Sequence, residues 1–132
     1  MKTPEHYDND ILFFFDGRPA ELSLYGELLR HMQAAFPEAS VKVQRTQISF
    51  YGRRLFAMVS LPRRRSEAGI VLSFGLGREL SSPRVSLAVE PYPGRWTHHV
   101  AIDIPEQLDR ELLDWLTEAY AFSEIKSRRM PR

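Results

Sequence analysis

The chain of 132 residues has no cysteine, which excludes disulfides, thiolate zinc sites and cysteine nucleophiles together and suits a reducing compartment. Long apolar runs are missing as well. A run such as Ile11 to Phe15 falls far short of the roughly 20 residues that cross a bilayer. Met1 to Asp10, carrying Glu5, Asp8 and Asp10, does not read as a basic leader followed by an apolar stretch. A soluble, untargeted, cytoplasmic protein with no membrane partner is the expectation. Glycine is sparse, at 7 residues, and neither a GxGxxG nor a GxxxxGKS/T phosphate loop occurs. No internal repeat or low-complexity segment is present.

What the chain does hold is a segregated charge. The formal net charge is +1, yet residues 42–95 carry ten basic and three acidic side chains, a balance of +7. Residues 1–41 carry three basic against seven acidic groups and residues 96–132 five against seven, so the flanks sum to −6. A basic block between acidic ends matters because local field, rather than total charge, attracts anions.

With 43% apolar residues, the length closes one core and not two, so one domain over residues 1–125 is predicted, followed by a basic tail over 126–132. Leu22, Tyr25, Leu29, Met32 and Phe36 recur at steps of three and four, predicting a helix from Pro19 to Phe36. A shorter helix precedes it, from Asp8 or Asn9 to the turn at Asp16-Gly17. Val41 to Tyr51, Leu55 to Leu61 and Ile70 to Leu76 are short β-branched and aromatic runs, and Trp96 to Asp103 is a further strand after the turn signal Pro91 to Gly94. Ser81 to Val89 reads equally as a strand or a helical turn. Pro105 opens a last helix with Leu108, Leu112, Trp115, Leu116 and Ala119 on its apolar stripe, ending near Ser123. The sum is an α+β domain of two layers, an antiparallel β meander packed on one face by the N- and C-terminal helices. Trp96, Ile102, Leu112, Trp115 and Leu116 are expected to share one core with Leu29 and Met32.

The other sheet face is then left to Gln47, Ser49, Val71, Ser73, Gly75, Thr97, His99 and Ala101. Such a face can be solvated, can pair with a second copy in a homodimer, or can hold a ligand. Thr46-Gln47-Ile48-Ser49-Phe50, Leu55-Phe56-Ala57, Ser82-Pro83-Arg84-Val85 and Pro93 to Val100, followed by a terminal helix, resemble the family of domain of unknown function 5655 from about Phe13 to Phe122. The order of meander, histidine-bearing strand and closing helix more distantly resembles MmcQ/YjbR-like and YdhG-like domains. That resemblance implies an α+β fold with nucleic-acid contacts and supplies no reaction.

Consecutive strand residues point to opposite faces, so His98 and His99 do not bind one metal ion from a regular strand. His98 is expected half-buried beside Trp96, and His99 at the surface. Ser73-Phe74-Gly75 lacks the preceding glycine of a nucleophile elbow. No catalytic residue, metal or cofactor is therefore assigned. Arginine forks grip phosphate and carboxylate, and Arg53-Arg54 at a hairpin tip with Arg63-Arg64-Arg65 in a loop predict one positive rim. The leading expectation is a non-enzymatic module that holds an anionic partner, nucleic acid or acidic protein, on the polar face and its rim. The alternative is a small-molecule binder or small enzyme with a pocket around Gln47, Arg95 and His99.

Overall fold

Asp109 opens the C-terminal helix, its carboxylate accepting the Leu112 N–H at 3.0 Å as an N-cap does. In this computed structural model, which describes residues 1–125, that helix is α3, Arg110–Glu124. The predicted tail over 126–132 lies outside the described residues. Pro105 starts only a 3-10 turn, Pro105–Gln107, before the chain bends into α3. Leu112, Trp115, Leu116, Ala119 and Ser123 form the buried side of α3, the spacing of a 3.6-residue period.

Two helices come first, α1 at Tyr7–Phe14 and α2 at Pro19–Ala35, where Pro19 fits the first turn because its missing N–H has no helical acceptor to lose. The buried side of α2 is Glu21, Leu24, Tyr25, Leu28 and Met32. The expected stripe is thus rotated, and Leu22 and Leu29 only flank the core. Both stripes satisfy the period; the additional leucines at 24 and 28 decide between them.

The six strands are β1 Ser40–Val43, β2 Ile48–Tyr51, β3 Leu55–Ser60, β4 Ile70–Leu76, β5 Val85–Tyr92 and β6 Arg95–Ile102, in the order β1-β2-β3-β4-β6-β5, every neighbour antiparallel. The run expected over Val41 to Tyr51 is a hairpin, closed by the Gln44 N–H to Gln47 O bond at 2.8 Å. Ser81 to Val89, left open above, resolves into an ascending crossover and then β5. Pro91 is tolerated inside β5 because that strand is an edge, where no inward N–H is needed. The α+β reading holds, as a meander with one crossover from β4 to β5.

Register fixes the two faces. Phe50, Ala57, Phe74 and His98 lie opposite one another, as do Ile48, Val59, Leu72 and Val100, and this side meets the helices. Phe56 is the extra residue of a bulge opposite Phe50 and Tyr51, which turns it to the same side, against Phe36 and Tyr120. Ile102, Leu112, Trp115, Leu116 and Met32 share the core as expected, but Trp96 stays half-buried at the sheet end and is not part of it.

Candidate functional site

The uncovered face is built from the alternate strand positions. One row runs Lys42, Ser49, Met58, Ser73, His99, Leu87; the next runs Gly75, Thr97, Val89. Tyr92 pairs with Arg95 beside the Pro93-Gly94 turn. No paired position on this face carries a carboxylate.

Arg95 lies across the sheet with its guanidinium over Gly75. A β-carbon on that glycine would sit 2.6 Å from the guanidinium carbon and 2.6 to 2.7 Å from its nitrogens, closer than any real contact, so only glycine at 75 lets the fork lie flat. Among the described residues no carboxylate or carbonyl bonds the Arg95 side chain. The crevice beside it, between Met58, Ser73 and Thr97, holds about 10 Å³, room for one water at most.

His99 and Ser73 are joined, Nδ1 to Oγ, at 2.7 Å. Burial pushes the His99 pKa down, so the ring is neutral. Contrary to the surface position expected, it is half-buried. Ser73 is buried in mid-strand and no carboxylate bonds this imidazole among the described residues, so the orienting acid of a serine-hydrolase triad is missing there. Gln47 donates to Ser49 Oγ at 2.8 Å, and Ser49 in turn donates to Gln44 Oε1 at 2.7 Å. That network lies three strands from His99, about 14 Å at ordinary strand spacing. Arg95 and His99 therefore share a face, whereas Gln47 does not join them in one pocket.

His98 faces the helices, opposite to His99. It is fully buried, where half-burial was expected, because the crossover from β4 to β5 covers it. Its Nε2 accepts the Leu80 N–H at 2.9 Å and its ring stacks on Phe74. Burial first, with Arg78 adding to it, lowers its pKa against the opposing pull of the Phe74 backbone, Glu79 and Glu118. Among the described residues, no cluster of three or more His, Asp or Glu side chains is arranged to hold a metal ion. Nor is any helix there long and apolar enough to cross a membrane.

The arginines divide into two groups. Arg54 caps the end of α3, donating to the carbonyls of Phe122, Ser123 and Ile125 at 3.1 to 3.3 Å. Arg78 grips Glu118 through two 2.8 Å bonds. Arg84 holds Asp109, Glu111 and the Gln107 carbonyl while lying over Trp115. The Arg84 bond, then the Leu112 N–H, keep the Asp109 carboxyl below its ordinary pKa. Exposed Arg45, Arg53, Arg63, Arg64 and Arg65 make no side-chain hydrogen bond or ion pair among the described residues. Arg53 contributes only its backbone N–H, to Glu124.

The expected single rim is split. Arg53 and Arg54 precede β3 and Arg63 to Arg65 follow it, so the two sets stand at opposite ends of a six-residue strand, about 20 Å apart at ordinary rise. Arg45, in the β1–β2 turn, is on the Arg63 to Arg65 end. The loop at that end is pinned at its base: Glu21 accepts the Gly69 N–H at 2.7 Å, and Arg18 donates to the Glu67 carbonyl at 2.7 Å.

Leu87, Val89 and Tyr92, 55%, 44% and 55% exposed, escape the sequence reading because their strand is not distinguished there from a helical turn. The step of two from Leu87 to Val89 is the signal that finds them, while a bulge before Leu87 turns Val85 to the helix side opposite Val100. No curated protein and no solved structure matches the chain. Residues 13–123 match the family described as Domain of unknown function (DUF5655), and the chain belongs to that family.

Proposed function

We propose that the chain is a non-enzymatic binding module for an anionic partner, nucleic acid or acidic protein, laid across the uncovered sheet face. The observation that carries this reading is the face itself. It has no carboxylate at any paired position, a partnerless Arg95 on it, and solvated arginines beyond both of its ends. An anion approaching there meets no carboxylate at the paired positions and a local excess of positive charge. The same reading places the protein in the cytoplasm, which its cysteine-free composition suits. The pocket alternative loses ground because a 10 Å³ crevice is far below the roughly 300 Å³ at which small-molecule sites begin.

The test is binding of a fluorescent single strand, a short duplex and polyglutamate from low to physiological salt. Wild type is compared with a variant in which Arg63, Arg64 and Arg65 are all glutamine. Salt-sensitive binding is expected, and each phosphate neutralised on duplex contributes about −0.9 to the slope of log affinity against log salt. A shallower slope in the triple variant supports the reading. No binding of any of the three probes at low salt overturns it.

A further inference from the structure

We propose that the Arg95 guanidinium on the sheet face binds a carboxylate from an acidic and apolar polypeptide segment, with the exposed stripe Leu87, Val89 and Tyr92 taking the apolar side chains next to it. This deepens the reading above and rests on it, by choosing one anionic partner.

Three features lead there. The Arg95 guanidinium is laid flat on β4 by the absence of a side chain at Gly75, so its fork is held in place before any partner arrives, which lowers the cost of ordering it. It has no internal acceptor among the described residues, while Arg54, Arg78 and Arg84 each have several. A half-buried guanidinium left without an acceptor gains from a bidentate carboxylate. The neighbouring His99 is neutral and closed on Ser73, so it neither competes for the anion nor adds a second positive charge.

The surroundings select the partner. Leu87 and Val89 on one side and Met58 on the other present aliphatic surface, and Tyr92 is the single exposed aromatic of the stripe. Stacking of successive bases needs several aromatic platforms; aliphatic side chains of a polypeptide need only apolar area. A second copy is a poor occupant, because the paired positions of the face carry no carboxylate to set against Arg95 and the face carries Lys42 and Arg95 on both copies.

The experiment follows backbone amide shifts of the isotopically labelled protein. A capped peptide of alternating leucine and glutamate is added, and a leucine and glutamine peptide serves as control. Saturable shifts at Gly75, Val89 and Thr97 are expected with the first peptide only. Arg95→Gln should weaken its binding at least tenfold. Gly75→Ala, which drives the guanidinium off β4, should also weaken it. Both variants should also weaken polyanion binding, because Arg95 lies on the face of the parent reading; polyanion binding by the wild type together with unchanged peptide affinity in Arg95→Gln rejects the Arg95 contact alone, whereas no polyanion binding by the wild type rejects the parent reading. Shifts confined to residues 61–69, equal binding of the two peptides, or unchanged affinity in Arg95→Gln overturn the proposal. A single strand that moves the same face amides at lower concentration, or a dimer in sedimentation that already covers them, overturns it as well.

Discussion

Replacing His98 by glutamine should flatten the stability of this protein against pH between 7.5 and 5.5. The Nε2 of His98 accepts a backbone N–H from Leu80 at 2.9 Å, so that nitrogen must be unprotonated in the fold, and a proton there would set two donors against each other. Burial lowers the folded pKa below the ordinary 6.5. The unfolded chain binds the proton more readily, so the contribution of His98 is intact above about pH 6.5 and is lost as pH falls below it. For one histidine that stays neutral in the fold, proton uptake by the unfolded chain between pH 7.5 and 5.5 costs at most about 1.4 kcal/mol. Glutamine keeps an acceptor near Leu80 and removes the titration. His99, also shifted down, remains in both proteins and cancels. The lowered carboxyls of Glu21, Asp109 and Glu118 lose their contributions as pH falls through the ordinary carboxylate range and below, under this window. Urea unfolding followed by tryptophan fluorescence at the two pH values measures the difference. Wild type should lose up to about 1.4 kcal/mol more than His98→Gln. Equal losses in the two proteins would refute the buried, neutral acceptor.

Trp115→Ala should cost about 3 to 5 kcal/mol in the same assay, read by circular dichroism, because the indole fills the core against Phe74 and under Arg84; a loss under about 1 kcal/mol would contradict that packing. Arg54→Met keeps the aliphatic stem and removes three bonds to the last carbonyls of α3. It should cost about 1.5 to 3 kcal/mol, with faster amide exchange over residues 120–125 than elsewhere in the helix.

Periodicity reveals the helices and most strands because burial of one face leaves a regular imprint. It fails where two registers are equally good. The stripe through Leu22 and Leu29 and the stripe through Leu24 and Leu28 both fit a helical period, and the second is the one buried. The Gln44 to Gln47 turn has no glycine or proline to announce it, so two strands read as one. Pro91 suggests an earlier end to β5, a suggestion that the edge position cancels. His98 and His99 are assigned to opposite faces by alternation alone, yet the depth of His98 depends on a crossover from β4 that local sequence does not reveal. The arginines are the sharpest case. Composition shows that they are many, but strand direction sends Arg53 and Arg63 to opposite ends, and contacts distant in sequence determine which of them bind the protein itself.

The strand order has a consequence for assembly of the fold. β1 to β4 are added one beside the next, whereas β5 and β6 arrive as a hairpin that docks on β4 with its second strand. That hairpin joins the sheet along one seam, between β4 and β6, its inward Val100 and Ile102 entering the core, and it is latched where Leu80 meets His98. Its two strands form local contacts quickly, but seating waits on a long-range closure, which is the slower kind of step. A hairpin attached in this way is also the element that two chains can exchange while keeping every native pairing. Concentrated refolding, rather than the mature fold, is where this protein should form interlocked pairs.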